Sequence, residues 1–354
     1  MSEPVLDRPR SAAHPGERAR LATLGAPLIG IFVGLLIGAF LILLAGADPI
    51  AAYAVMFKGA FGGQRQIEET LLKAAPLLIV ALGLTVAFRA RVWNIGGEGQ
   101  FFIGALFGGV IALGFPGWPR PLLIAAMLVA AAVGGLLWAL LAGVLKTKRG
   151  ISEIISTLML NYIAALFVLY MARGPLQDPK GYLPESAQFA AAARMPALFG
   201  TRIHIGVLLA VLLVPLVYVL IWMTPLGFRL RAVGSRASVA RNVGIRVERT
   251  ILFALAFSGA LAGIAGIIEV SYLHTRLKGT ISGGYGFSAI LVALLGRMHP
   301  VGVAVAALFF AALTIGAQSM HVVYALPDSL ANVIQAVIVL CVLAADAIAR
   351  RRRA

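Results

Sequence analysis

The sequence predicts an all-α integral membrane protein of about ten transmembrane helices, built as two inverted five-helix repeats. Three observations lead there. Of 354 residues, 60% are hydrophobic and only 12% are charged. A soluble domain carries roughly 25% charged residues, so this composition cannot cover a water-facing surface of ordinary size. Apolar runs recur at 26–46, 71–88, 101–114, 121–145, 151–172, 205–223, 251–268, 286–296, 301–319 and 329–349, most of them near the ~20 residues that cross a bilayer. The third and eighth runs are short, and each follows a glycine-dense polar stretch.

The chain begins with a polar cytoplasmic tail, 1–25, carrying Arg8, Arg10, Arg18 and Arg20. The run that follows is too long for a signal-peptide core, although Ala45-Gly46-Ala47 resembles a cleavage site, and it reads as an uncleaved first span. Alternating from an inside N-terminus places 20 of the 30 basic residues on the inner side. Basic loops stay cytoplasmic, so both termini are expected inside, including the basic tail 350–354. The same rule accounts for the net charge of +16 without a nucleic-acid partner.

Runs three and eight decide where a pathway would lie. At 1.5 Å per residue they give about 21 Å and 17 Å of helix, against a hydrocarbon core near 30 Å. Each therefore needs the preceding segment in the membrane: Asn94 to Gln100 before the third, Gly279 to Gly286 before the eighth. Five spans per repeat make the second copy inverted, with the two broken helices at equivalent positions. Irregular backbone at membrane depth is tolerated only against protein or a watery cavity, which makes such segments pointers to a solute pathway.

Polar side chains in the spans are candidates to line it. Asn161 lies mid-span, Asn332 and Gln335 share a helix face, and Tyr162, Tyr285 and Phe287 offer flat rings. Single amides also bond neighbouring helices. Glu98 is the most suggestive, because a carboxylate at a bilayer is costly, unless it lies close enough to the inner boundary to be hydrated.

The stretch 224–249 reads as a cytoplasmic loop with six arginines and one glutamate. Pro225 and Gly227 mark the exit from the sixth span. Ser235 is placed to cap a short helix running through Val239 to about Val243 and ended by Gly244. Ala237 and Ala240 on one side would let another protein approach closely.

These residues resemble a known family. Thr224-Pro225-Leu226-Gly227-Phe228, Arg231-Ala232-Val233-Gly234, and Ala240 with Gly244-Ile245 are similar to the coupling loop of ABC-importer permeases of the branched-chain amino acid and simple-sugar group. Phe88-Arg89-Ala90, Trp93 to Gln100, and Glu153 to Tyr162 narrow the resemblance to the nucleoside type. It covers roughly residues 25–350. Arg236-Ala237 and Val239-Ala240 stand where the family usually has Asn-Pro and a double alanine, and Trp93 replaces the commoner Phe.

The resemblance implies a permease domain, 26–349, that takes up nucleosides or related ribosyl or simple-sugar solutes across a bacterial inner membrane. It also implies partners: a separate ABC ATPase subunit, a second and paralogous permease, and a substrate-binding lipoprotein of the basic membrane protein type. Asn94, Glu98, Gln100, Asn161 and Tyr285 are then expected to line the pathway. Arg231, Ala232, Gly234, Ala240, Gly244 and Ile245 are expected to contact the ATPase.

The residues argue independently that ATP is hydrolysed elsewhere. A phosphate-cradling loop needs glycine before its lysine, and none of Lys58, Lys73, Lys146, Lys148, Lys180 and Lys278 has one. No cofactor or metal is expected either: Cys341 is the only cysteine and the five histidines are scattered. An ion-driven carrier would need buried ionisable groups, which the span interiors largely lack apart from Glu98. A membrane transferase would need paired acids for a metal-diphosphate, and the adjacent pair, Glu68-Glu69, falls on the outer side. A receptor-like membrane protein without transport activity is the remaining class.

Overall fold

The computed structural model describes residues 17–198, 200–324 and 328–351; the tails expected at 1–25 and 350–354 lie largely outside them. Its helices in chain order are α1 (Glu17–Leu44), α2 (Pro49–Phe61), α3 (Gln64–Arg89), α4 (Gly97–Gly114), α5 (Arg120–Arg149), α6 (Glu153–Arg173), α7 (Ile205–Met223), α8 (Pro225–Ser235), α9 (Ala237–Asn242), α10 (Val247–Glu269), α11 (Tyr285–Leu295), α12 (Pro300–Tyr324) and α13 (Asp328–Arg351). Among the described residues no strand forms, only three isolated bridges such as Gln177 with Ser186.

Each apolar run overlaps a helix, but the count of ten spans does not follow. Eight helices are long and apolar enough to cross a bilayer, or nine if Ile29–Leu44 and Pro49–Phe61 are taken together. The physical reason is length: α11 has 11 residues and reaches about 17 Å. α2 lies outside all ten runs; Pro49 occupies its first turn, and the Asp48 carboxylate accepts the Ile50 N–H at 2.9 Å.

The chain divides into two compact units, 1–52 with 326–354, and 53–325. In the first, α1 packs on α13. Gly30 and Gly34 present backbone to backbone, so that a Cβ added to them would stand 2.5 Å from the Cα of Val342 and 2.6 Å from that of Ile338. With no hydrophobic drive between helices in lipid, small residues four apart permit the close approach that packing requires.

In the second unit α10 is the hub, packing on α3, α4, α5 and α8. Gly259 and Gly263 meet Gly135 of α5, and Gly263 also meets Gly104 of α4. α3 is buried without a break from Ala74 to Phe88, the mark of a core helix. α6 instead exposes Ile155, Tyr162, Leu166 and Tyr170, an apolar face suited to lipid.

The expected coupling loop is two helices rather than one. The Thr224 hydroxyl accepts the Gly227 N–H at 3.0 Å and Pro225 takes the first turn, starting α8. α8 runs on through Ser235, so Ser235 is its last residue and does not cap α9, whose start carries no side-chain cap. The expected end is present. Gly244 is left-handed, at φ 82°, and the Ile245 N–H returns to the Ala240 carbonyl at 3.0 Å, the closing bond of a Schellman turn.

Candidate functional site

The first turns of α4 and α11 meet in backbone contact. The Glu98 carboxylate on α4 accepts the Gly286 N–H of α11 at 2.7 Å. A Cβ on Gly286 would collide with the Glu98 backbone nitrogen, so only glycine permits this approach. Both helix N-termini carry partial positive charge, and one carboxylate placed between them stabilises both ends. Glu98 is buried, with the Ser282 hydroxyl and the Gly284 N–H also facing it. Gly286 lies 12 residues above Met298, on the turn after α11, where Arg89 is bound.

The stretch 92–96 that interrupts α3 and α4 is held by side-chain amides. Asn94 Nδ2 donates to Gln100 Oε1 and to Ser258 Oγ, both at 2.9 Å. Asn94 Oδ1 accepts from Gln100 Nε2 at 2.9 Å and from the Gly96 N–H at 3.0 Å. Asn161, reaching over from α6, accepts the Gly99 N–H at 2.8 Å and donates to the Ile95 carbonyl at 2.9 Å. A side chain of one helix thus caps the start of another, because Gly96 at the N-cap position offers none. Among the described residues no buried side-chain polar atom lacks a partner.

Tyr285 stacks on Phe101 with ring centroids 5.7 Å apart and donates its hydroxyl to Glu269 Oε1 at 2.9 Å. The Lys73 ammonium stands 4.5 Å from the centre of the Tyr285 ring. Glu269 and Lys73 are site-adjacent residues that sequence reasoning missed. A signal existed for one, since Lys73 is a charge within the apolar run at 71–88. Glu269, at the end of its run, carried none. Tyr162 and Phe287 are exposed rather than gathered with this group, as is Asn332.

The structure therefore brings Asn94, Gln100 and Asn161 into one buried cluster, and Glu98 and Tyr285 into the adjoining meeting of α4 and α11. All five are at most 7% exposed, and their hydrogen-bonding groups are used within the protein in this conformation.

Around α8 and α9, the six expected coupling residues divide. Ala240 is buried with Val233 and Val247, and Ala232 and Ile245 pack against that cluster. Gly234 is buried against the Arg89 carbonyl, and Arg231 donates to the Ile221 carbonyl. These side chains shape the platform. The exposed surface is made by Gly244, Val239, Val243, Arg236 and Arg241. Beside it a cleft of about 510 Å³ is walled by Leu226, Leu230, Phe253 and three arginines, Arg229, Arg246 and Arg249.

Among the described residues no three His, Cys, Asp or Glu side chains gather as a metal site would require. Residues 66–343 match the family described as "Branched-chain amino acid transport system / permease component".

This chain belongs to that permease family. It is 35% identical over 339 residues to the glucose ABC transporter permease protein TsgB13 of Haloferax volcanii, covering 93% of this chain and 89% of that one. The guanosine ABC transporter permease protein NupP of Bacillus subtilis is 34% identical, with 93% and 95% covered. The nucleoside ABC transporter permease protein NupB of Lactococcus lactis is 33% identical, with 83% and 84% covered. No solved structure matches the chain. Membership makes this permease a multi-pass membrane component of a transport system rather than an enzyme, one that works with ATPase and substrate-binding partners.

Proposed function

We propose that this permease is the membrane-spanning subunit of an ATP-driven importer of nucleosides, or of simple sugars sharing their hydroxylated ring. The observation that carries the proposal is near-end-to-end similarity to permeases named for guanosine and for nucleosides. The similarly distant glucose permease keeps the second solute class in view. The system acts in a bacterial inner membrane with both termini cytoplasmic, placing α8 and α9 toward the ATPase and the 174–204 segment toward a substrate-binding lipoprotein.

A second permease, a paralogue of this chain, completes the pathway at the interface between the two subunits. Asn94, Glu98, Gln100, Asn161 and Tyr285 border that pathway on this side, and the solute passes as the contacts among them rearrange. The two halves of the chain are inverted repeats, with α4 and α11 as counterparts. ATP enters as a differential affinity of the ATPase for one permease conformation. Arg231, Ala232, Gly234, Ala240, Gly244 and Ile245 set the shape that the ATPase reads.

Competition distinguishes the solutes. Vesicles holding the complete complex take up labelled guanosine, and unlabelled nucleosides in excess suppress that uptake while glucose does not. ATP-dependent uptake of labelled glucose with none of labelled guanosine reverses the assignment to sugars.

A further inference from the structure

Three of the four described non-glycine residues with positive φ sit at one place. Arg91 is at φ 53°, Arg297 at 55° and Met298 at 54°. All three lie in the turns that end α3 and α11 at the inner face. Each turn closes on its helix: the Val92 N–H returns to the Ala87 carbonyl and the Met298 N–H to the Ala293 carbonyl, at 3.0 and 2.9 Å. Left-handed backbone is costly for residues with a Cβ and persists only where its surroundings hold it.

The side chain bound to the second of these turns is that of Arg89. Its Nε and Nη2 both donate to the Met298 carbonyl at 3.0 Å, a two-pronged grip that a planar guanidinium can make and an ammonium cannot. The guanidinium carbon stands 4.9 Å from the centre of the Trp222 ring on α7. Trp222 is stacked on Tyr218 and lies 5.1 Å from the ring of His299, the residue after Met298. The backbone of Arg89 meets α8: a Cβ on Gly234 would collide with the Arg89 carbonyl oxygen. One residue therefore touches α8 through its main chain and the α11–α12 turn through its side chain. From that turn α11 leads to Gly286 and Glu98.

Resting on the reading of an ATP-driven permease, we propose that Arg89 is a positioning residue for energy coupling: its fork on Met298 carries displacement of α8 to α11 and so to the meeting of the two interrupted helices. The pull passes through a strained turn, which has a second arrangement available once the fork is released.

The test uses the complete complex in proteoliposomes, reading ATP hydrolysis, uptake of labelled guanosine and thermal stability together. Three variants are compared. R89Q removes the fork, R89K leaves a single-point donor, and R89Q/M298G lets the turn hold its left-handed form unaided. In R89Q, ATP hydrolysis persists while uptake per ATP hydrolysed falls about tenfold, and R89K is intermediate. R89Q/M298G recovers thermal stability but not uptake per ATP. Wild-type coupling in R89Q overturns the proposal. Recovery of uptake per ATP in R89Q/M298G also overturns it, by showing that Arg89 only props the turn. Should R89Q not assemble, unchanged coupling in R89K is equally contrary. Uptake by the unmodified complex without ATP refutes the ATP-driven reading instead, whatever the variants do.

Discussion

Glu98 accepts the Gly286 backbone N–H at 2.7 Å across 188 residues of sequence, tying the first turn of α4 to the first turn of α11. The bond joins the starts of two helices, and the close approach it needs exists because Gly286 has no side chain. Gly286→Ala therefore forces the two backbones apart, with no flexible side chain able to yield. Overpacking costs typically about 1–3 kcal/mol, and backbone on both sides puts this case at the upper end. Thermal unfolding of the purified protein shows the loss, and uptake falls with it. Glu98→Gln keeps one acceptor oxygen but turns the other into an NH2 donor among the Ser282, Gly284 and Gly286 donors that face the carboxylate. Besides its charge assistance it therefore loses an acceptor, at about 1–3 kcal/mol.

Asn161 caps α4 from a different helix. Asn161→Leu keeps the volume but strands the Gly99 N–H and the Ile95 carbonyl. Each buried unpaired group costs about 1–3 kcal/mol, so the two together lower stability by about 2–6 kcal/mol. Asn161→Asp keeps the acceptor for Gly99 and loses the donor to Ile95, and it falls between in denaturation of the detergent-solubilised protein.

The α8–α9 surface separates platform from contact. Val239 and Val243 are 49% and 70% exposed, so Val239→Asp and Val243→Asp leave folding intact and weaken co-purification of the ATPase subunit. Gly234→Trp instead drives a ring into the Arg89 carbonyl and unseats α8 itself. Thermal stability measured beside co-purification distinguishes a lost contact from a lost platform.

His204 supplies a pH response at the N-terminal end of α7. Its Nδ1 accepts the Gly206 N–H at 3.0 Å, which only an unprotonated nitrogen can do, and burial lowers its pKa from 6.5 to about 4. The unfolded chain binds this proton more readily than the folded one. The contribution is therefore complete above pH 6.5 and lost as pH falls toward 4, about 3 kcal/mol in all. Melting temperature measured from pH 7.5 to 4.5 shows the decline. His204→Asn, a capping acceptor that does not titrate, flattens it.

Much of this architecture is legible from residues alone, because lipid as solvent leaves a long apolar run for each buried helix. The interruptions before α4 and α11 are legible for the same reason: the runs at 101–114 and 286–296 are too short, and glycines precede them. What is not legible is long-range pairing. Asn161 and Gly99 are 62 residues apart, and an amide that caps a distant helix is indistinguishable in sequence from one that binds solute. α8 was hidden because Thr224-Pro225, a helix start, follows an apolar run and so reads equally as an exit from the membrane. Once α8 claims Ser235 as its last residue, the cap expected for α9 is gone. Gly30 and Gly34 carry a visible small-residue spacing, but the sequence does not say that their partners are Val342 and Ile338.

The central claim is that ATP, not an ion gradient, drives uptake through this permease. Proteoliposomes holding the permease with its ATPase and binding protein, loaded with ATP and treated to collapse proton and sodium gradients, measure it directly. Continued uptake of labelled guanosine that stops with vanadate is the predicted result. Uptake that vanishes with the gradients and ignores vanadate would contradict the account.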